Sequence, residues 1–283
     1  MSAPSTAVDR GLGFLQFGLF QARIELTIRL GRPGALSLLV SPILVIGVLT
    51  LMGPGLFDDT SSAPQILAGL AAASLFIGGI VGVSTELVAE QEDGTMLRVR
   101  TLPHGLAGFL VGKVISFSAI SLLSMMLLLV PAHFLLGPIL PVSAAGWLGL
   151  LGVAILSLAA TVPLGAVAGA VAKTTMAVLP LALVSYGLMV ISGIFFPISL
   201  MPPWVGAIAQ IFPMYWLGLG SRAVLIPDSG FSDVWQAGLA IGVPLAWAAL
   251  GLILAPKALR RMTARQSGAR LEAVQARRVS RGY

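Results

Sequence analysis

The sequence contains no cysteine and very few charged residues. Of its 283 residues, 10% are charged and 57% are hydrophobic, and the mean hydropathy is +0.97. The absence of cysteine excludes disulfides and thiolate metal sites. A soluble domain has about a quarter charged residues, so the low charge content indicates an integral membrane protein.

Histidine is also scarce, and the apolar runs show no two-residue period. His104 and His133 are the only histidines and lie too far apart in the chain to suggest a metal site. Without the two-residue period of a membrane β-barrel, helices are the remaining way to satisfy the backbone in lipid. Met1–Gly13 has no apolar core, so we expect no cleavable signal peptide.

Long uncharged runs divide the chain, and six of them reach the length of a membrane span, about 20 residues. The runs cover roughly Ala35–Leu56, Ser62–Thr85, Val114–Leu136, Ala145–Ala172, Thr175–Phe196 and Trp235–Ala255. The sequence therefore predicts an all-α integral membrane protein with six transmembrane helices. A single membrane domain would fill residues 1–283, with an N-terminal region at 1–34, a six-helix region at 35–256 and a basic tail at 257–283.

The basic residues predict the orientation of these spans. If the six runs cross, then of the 17 Lys and Arg residues only Arg222 lies outside. This bias predicts that both termini lie in the cytoplasm. We expect the protein to lie in the plasma membrane. Met201–Ser221 is a further uncharged stretch, but Pro202, Pro203 and Pro213 interrupt it. If this stretch crossed as a seventh helix, the eight basic residues of Lys257–Arg281 would lie outside. We therefore predict a re-entrant or interfacial hairpin on the outer face between spans five and six.

The ends of the chain are predicted to lie at the cytoplasmic membrane surface. In Phe14–Leu30, apolar residues such as Phe20 and Ile24 recur at helical spacing beside charged ones. This pattern predicts an amphipathic helix in the interface, ended by the break Gly31–Gly34. The basic tail Lys257–Tyr283 is typical of binding to anionic lipid headgroups, and we expect no nucleic-acid partner.

Glycine pairs four residues apart recur inside the apolar runs. The pairs are Gly78/Gly82, Gly108/Gly112 and Gly165/Gly169. Such pairs allow two membrane helices to approach closely.

The segment Glu86–Pro103 is a polar island between two uncharged runs and carries four acids and two arginines. Thr95 can cap a short helix from Met96 to about Thr101, which would end before Pro103. The acids precede this helix and the arginines lie toward its C-terminus, which the helix dipole favours. These features fit either a docking helix or a simple solvated loop.

Two segments carry a family resemblance. Glu90–Pro103 (EQEDGTMLRVRTLP) resembles the Glu-Arg-Glu-x-Gly-Thr-Leu-x-x-Leu…Pro segment of ABC-2 type transporter permeases. Ser192–Trp204, continuing to Arg222, is similar to that family's outer segment before the last span, where Phe-Pro, Pro-Trp and a later Arg recur. Gln91 replaces the usual Arg, a departure that would alter the charge match with a partner.

The resemblance implies a half-transporter that works as a dimer with two cytoplasmic ABC ATPase subunits. The second permease subunit would be an identical copy or a related chain. The loop after span two would carry the coupling helix that docks on the ATPase. Its contact residues would be Glu90, Glu92, Asp93, Gly94, Thr95, Leu97, Arg98 and Arg100. The outer segment would include Phe196, Pro197, Pro203, Trp204, Pro213 and Arg222.

The sequence shows no complete phosphate-binding loop for ATP. Ala107–Val114, with Gly112-Lys113, lacks the first glycine and the Ser/Thr of a phosphate-binding loop. We therefore expect no enzyme activity and no cofactor on this chain, with ATP and Mg²⁺ on the partner ATPase. Lys113 is expected to reach toward the inner membrane edge. For Glu86, exposure to water at the boundary is favoured over contact with the interfacial helix or with a substrate entry gate.

Apolar spans without buried charge favour export of an amphipathic drug-like or lipid-like compound. Within the family, the chain looks most like the daunorubicin-resistance branch of drug exporters, which links it to antibiotic resistance. A permease for polysaccharide or lipid-linked glycan is one alternative, although only three tyrosines are available to line such a path. An ion-coupled transporter or channel is another, but the spans lack the mid-membrane ionisable residues typical of that class.

Overall fold

The computed structural model describes residues 7–56, 62–93, 105–195, 198, 201–226, 229 and 231–280. Every regular element within these residues is a helix, which confirms the all-α prediction. The α-helices are α1 Ala7–Arg29, α2 Arg32–Leu56, α3 Ser62–Ile77, α4 Val83–Glu92, α5 Gly105–Leu135, α6 Ala144–Val171, α7 Leu179–Ile191, α8 Pro203–Ile211, α9 Pro213–Leu225 and α10 Val234–Ser280. A π-helical turn, Gly78–Gly82, joins α3 to α4, and a 3₁₀ turn, Thr175–Val178, precedes α7.

Local sequence signals fix several helix starts. Ser143 caps α6, because its Oγ accepts the Gly146 N–H at 3.1 Å. Asp233 does the same for α10, where its carboxylate accepts the Gln236 N–H at 2.7 Å. Pro203 begins α8 and Pro213 begins α9, positions at which the missing amide proton costs no hydrogen bond.

The continuous stretch formed by α3, the π turn and α4 runs through the middle of the bundle. In the most apolar window of Ala63–Glu92, 67% of the residues are buried, against 22% in Val234–Met262 of α10. Leu67 and Leu75 belong to one core cluster with α5 and α6, and Phe76 belongs to a second cluster with α7 and α9. This stretch is therefore central in the bundle, and α10 is peripheral.

Helix α6 approaches this central stretch at glycines. A Cβ placed on Gly165 would overlap the carbonyl oxygen of Gly79 and lie 2.9 Å from that of Ile80. A Cβ on Gly169 would lie 2.9 Å from the carbonyl oxygen of Ser84. The Ser84 hydroxyl donates to the Gly165 carbonyl at 2.9 Å. The glycine pair in α6 thus lets the two backbones meet and hydrogen-bond.

Within the described residues, four helices are long and apolar enough to cross a membrane. They are Ala63–Glu92, Val111–Leu135, Ala144–Val171 and Val234–Met262. Two further apolar helical segments, Leu38–Leu51 and Thr175–Ile191, are shorter. These apolar helices identify a membrane protein, while the number of six spans stays a prediction.

The stretch Met201–Ser221 does not form one long helix. It contains α8 and the first turns of α9, which meet at Phe212, where the backbone is extended. Pro213 follows directly and cannot donate its amide to continue α8. The predicted hairpin therefore has a structural counterpart in two short helices, and its position relative to the membrane stays a prediction.

Helix α1 lies along α5 and turns its apolar residues outward. The exposed fraction is 62% for Phe20 and 71% for Ile28, whereas Ala22 is buried. Glu25 and Arg29 point into the bundle instead. Such an orientation suits a helix whose outer face meets lipid. The break after α1 is shorter than predicted, since α2 begins at Arg32, directly after Leu30–Gly31.

Candidate coupling site at the end of helix four

The last turns of α4 carry four polar side chains that contact several neighbouring elements. Glu86 and Glu90 are four residues apart, so they share one face of the helix. Gln91 and Glu92 follow at about 100° steps and reach other neighbours. This segment, Glu86–Glu92, is called the polar end of α4 below. It leads directly into residues 94–104, which connect to α5.

Glu86 and Glu90 belong to a cluster of charges from three helices. This charge cluster consists of Glu25 and Arg29 from α1, Glu86 and Glu90 from α4, and Lys113 from α5. Lys113 is its centre: Nζ lies 2.6 Å from Glu25 Oε1 and 3.1 Å from Glu86 Oε2, and it also pairs with Glu90 Oε1. Arg29 pairs with Glu86 and lies 3.2 Å from Glu25 Oε1. One lysine therefore links α5 to both α1 and α4.

The charge cluster is shielded from solvent and unbalanced. The exposed fractions of its side chains run from 12% for Lys113 to 29% for Arg29. Three carboxylates face two cations, which leaves one surplus negative charge. Within the described residues, Glu90 Oε2 is buried and accepts no hydrogen bond. A carboxylate that is removed from water is stable in its charged form only when a cation pairs with it. Loss of either cation of the cluster would therefore strongly destabilise the fold.

The surroundings of Glu86 and Lys113 differ from the favoured expectation. Glu86 is not a free carboxylate exposed to water, because it pairs with Arg29 of α1, which is the alternative contact with the N-terminal helix, and with Lys113. The Lys113 ammonium group is held among three carboxylates, and its position relative to the membrane edge stays a prediction. In both cases the attraction of an opposite charge in a poorly hydrated place outweighs solvation of the single group.

The other two side chains of the polar end bind the far side of the bundle. The Gln91 amide donates to the Gly169 carbonyl of α6 at 2.9 Å. The Glu92 carboxylate accepts the Thr175 hydroxyl at 2.9 Å and the Thr175 N–H at 3.2 Å, which caps the 3₁₀ turn before α7. Gln91, expected to face a partner, is thus engaged with α6. Its uncharged amide suits a backbone carbonyl, which accepts but cannot neutralise a charge.

An apolar cluster supports the same region. It combines Leu87 of α4, Phe109 of α5, Ala170 of α6 and Met262 of α10, with Phe17 of α1 packed against it. Every helix that contributes to the polar contacts therefore also shares an apolar core there. The polar end of α4 is fixed both by hydrogen bonds and by packing.

Only some of the predicted coupling residues lie within the described chain. Glu90 faces the charge cluster, and Glu92 and Asp93 are exposed. Gly94, Thr95, Leu97, Arg98 and Arg100, together with the predicted helix Met96–Thr101, lie outside the described residues. The structure thus places Glu90 and Glu92 in one site and describes the segment up to the point where the remaining residues begin.

The segment predicted to lie on the outer face contains a half-buried arginine. Arg222 of α9 donates through Nη1 to the Gly193 carbonyl at 3.0 Å and through Nε to the Gly218 carbonyl at 3.1 Å. It thereby ties α9 to the turn after α7, where Gly193 has a φ of +73°. Burial, opposed by the nearby Tyr215 side chain, lowers the pKa of the Arg222 guanidinium. The ordinary pKa of arginine is so high that the group keeps its charge.

The remaining residues of that segment have other positions. Pro203 and Pro213 begin the two short helices, and Trp204 is 65% exposed. Phe196 and Pro197 lie outside the described residues. The structure therefore brings Arg222 to the end of α7 but does not join these residues into a polar site.

Sequence reasoning missed Glu25, Arg29 and Lys113 as members of the site. One signal was present: Glu25/Arg29 and Glu86/Glu90 are both four residues apart, and Lys113 is the only Lys, Arg, Asp or Glu between Arg100 and Lys173. Charged pairs on one helix face, next to a lone lysine in an apolar run, favour mutual burial over separate exposure.

The fold and this site define the class of protein. It is a helical membrane protein in which the polar, ion-paired end of α4 lies directly before the segment that connects to α5. In the described residues of the chain, no group of His, Asp or Glu side chains is arranged to hold a metal. The ion pairs and hydrogen bonds of this site join α1, α4, α5 and α6.

Comparison with known families agrees. A family model described as ABC-2 family transporter protein matches residues 49–256. That is most of the chain, so the chain belongs to the ABC-2 transporter family, whose members are membrane subunits of ABC transporters. The family prediction made from Glu90–Pro103 and Ser192–Arg222 is confirmed at this level. The membrane subunit of this family is not itself catalytic, and membership of the family implies an ATPase subunit as partner. A search of curated proteins finds no match.

Proposed function

We propose that this chain is the permease subunit of an ATP-driven exporter that moves an amphipathic drug-like or lipid-like compound out of the cell. The observation that carries the proposal is the polar end of α4. It is held by α1, α5, α6 and the 3₁₀ turn before α7 and leads directly into the predicted coupling segment. A push on that segment would therefore reach several helices together.

The contacts suggest a division of roles within the coupling segment. Glu90 is committed to Lys113, so we assign it to force transmission within the membrane subunit. Glu92 is exposed and also binds Thr175, so it would serve both roles. With the exposed Asp93 and with Gly94, Thr95, Leu97, Arg98 and Arg100, it would form the surface offered to the ATPase. ATP and Mg²⁺ would be bound and ATP hydrolysed on that partner.

The proposed architecture has six spans with both termini in the cytoplasm of a cell whose plasma membrane holds the complex. Leu38–Leu51 and Thr175–Ile191 would complete the four longer spans. The helices α8 and α9 would form the outer re-entrant hairpin. Two permease subunits, identical or related, would combine with two ATPase subunits. This arrangement rests on the family and on the charge distribution.

A cavity of about 380 Å³ supports the choice of cargo. It lies among α2, α3, α5 and α7, and each of these helices contributes one hydroxyl: Ser41, Ser74, Ser124 and Tyr186. The other described residues that line it are apolar, and none of them is charged. An uncharged amphipathic molecule, with an apolar body and a few hydrogen-bonding groups, matches such a lining. Assignment to the daunorubicin-resistance branch extends this proposal by analogy.

The cavity also provides a test of the cargo. Ser74→Phe should fill it and reduce ATP-driven export about tenfold, measured as uptake of an uncharged amphipathic dye such as Nile red into inverted vesicles, the equivalent of about 1.4 kcal/mol of binding. Val48→Phe is the matched control, because Val48 is an exposed residue of α2 that does not line the cavity. Equal export by both variants at equal membrane levels would remove the cavity from the transport path.

The proposed function is tested by purification from the native host in a mild detergent. The wild-type chain should bring with it a stoichiometric ATPase that has a phosphate-binding loop, identified by mass spectrometry. Gly94→Trp should reduce recovery of that ATPase about tenfold, because a bulky side chain would stand between the polar end of α4 and the predicted coupling helix.

Gly238→Trp serves as the control for that experiment. Gly238 lies in α10, and a Cβ built there meets nothing within 4 Å, so the ATPase should be recovered as with wild type. Purification of the wild-type chain alone, under conditions that keep another ABC transporter intact, would contradict the proposed function. Full ATPase recovery with Gly94→Trp would contradict the coupling role alone.

A further inference from the structure

Two cavities meet at the end of α6 that lies nearest the polar end of α4. One of about 300 Å³ lies between α6 and α10, and the other, of about 440 Å³, lies between α6, the 3₁₀ turn and α7. Val171 lines both cavities. Because they share Val171, the two cavities are neighbours, and together they are called the two-part cavity below.

Three cations surround this space. Lys257 and Arg261 line the first cavity, and Lys173 lines the second. Lys257 and Arg261 are four residues apart, so they extend from one face of α10. All three are exposed. The ion pairs of Glu25, Glu86 and Glu90 do not involve these three cations. Among the described residues no carboxylate lines either cavity, and Glu92, whose partner Thr175 is two residues from Lys173, accepts hydrogen bonds from Thr175.

The rest of the lining is apolar. Val167 and Leu254 lie one helical turn before Val171 and Lys257 and continue the walls away from the cations. A ligand that uses the whole space must have an anionic group at one end and an apolar body at the other. A free anion would gain nothing from the apolar walls, and an apolar molecule would gain nothing from the cations.

We propose that this two-part cavity binds an anionic phospholipid. The phosphate would lie between Lys257 and Arg261, where the guanidinium can offer two parallel N–H donors to its oxygens. Lys173 would contact the remainder of the headgroup, and an acyl chain would follow Val167 and Leu254. The site is a defined pocket between α6 and α10, distinct from diffuse attraction between the basic tail and the membrane surface.

The site adjoins the coupling region through the chain itself. Lys173 is two residues before Thr175, whose hydroxyl and amide bind Glu92. Ala258, which lines the first cavity, also packs against the apolar cluster that contains Leu87 of α4. A bound lipid would therefore hold α6, α10 and the 3₁₀ turn together. The proposal needs a membrane protein but not the exporter function.

Native mass spectrometry of the full-length chain in mild detergent tests the site. The probes are phosphatidylglycerol and phosphatidylcholine with identical acyl chains, and inorganic phosphate. Wild type should retain phosphatidylglycerol in preference to phosphatidylcholine, and Arg261→Gln should bind phosphatidylglycerol about fivefold more weakly. Lys257→Gln should have a similar effect, so the test stands even if one variant is poorly produced.

Arg23→Gln is the matched control. It removes one exposed positive charge from α1, which does not line either cavity, and its retention of phosphatidylglycerol should equal that of wild type. Equal weakening by Arg23→Gln and Arg261→Gln would indicate diffuse attraction and overturn the proposal. Complete displacement of phosphatidylglycerol by millimolar inorganic phosphate would also overturn it, because the site would then recognise only the anion.

Discussion

Replacing Lys113 by methionine is expected to destabilise the protein by about 3 kcal/mol, the lower end of the range for removing one partner of a buried ion pair. Lys113 contacts Glu25, Glu86 and Glu90, and its own side chain is 12% exposed. Methionine preserves much of the apolar packing of the lysine stem but removes the charge. Arg29 would then be the only cation of the cluster facing three carboxylates.

Thermal unfolding of the purified chain in detergent measures this effect. Arg23→Met is the control, since Arg23 is exposed on α1 and takes no part in the charge cluster. Glu90→Gln in the Lys113→Met background should recover some of the lost stability, because it removes one of the unpaired negative charges. An unfolding temperature for Lys113→Met equal to that of Arg23→Met would show that the cluster contributes little.

A single methyl group at Gly165 is expected to be nearly as damaging. In Gly165→Ala, the new Cβ would overlap the backbone carbonyl oxygen of Gly79 and crowd that of Ile80. Backbone atoms in a packed core cannot rotate away as a side chain can. The helices α6 and α4 would have to separate, which also stretches the hydrogen bond from Ser84 to the Gly165 carbonyl. Overpacking of this kind costs about 1 to 3 kcal/mol.

Gly152→Ala provides the comparison on the same helix. A Cβ at Gly152 meets nothing within 4 Å, so this variant should stay within about 1 kcal/mol of wild type and gain slightly from helix propensity. Both variants are compared by thermal unfolding and by yield from detergent extraction. If the two substitutions had equal effects, the close approach of α6 to the π turn would not hold in the folded protein.

The elements of the fold could largely be predicted because lipid restricts the backbone to helices. The uncharged run Ala145–Ala172 matches α6 to within one residue at each end. The run Ser62–Thr85 predicts the start of α3 but not its end, since the helical stretch continues through charged residues to Glu92. There the run ends because charge appears, whereas the helix continues because Glu86 and Glu90 find cations on neighbouring helices.

Only some residues of the candidate site could be predicted from the sequence. The polar segment and its motif marked Glu90 and Glu92, but not the direction in which each side chain points. Glu25 binds Lys113 across 88 residues of sequence, and Glu92 binds Thr175 across 83. A sequence period reports which residues share a helix face, and it carries no information on which other helix that face meets.

By itself, the amino-acid sequence determined that the protein lies in a membrane, that it is helical and that it belongs to the ABC-2 transporter family. These properties follow from local composition and short motifs, since about 20 consecutive apolar residues suffice for a membrane helix. Only the tertiary structure decided that Lys113 joins three carboxylates, that Gln91 binds α6 and that α3 and α4 are central. Those properties depend on which helices pack side by side, and close packing and charge pairing select that arrangement only once the helices have come together.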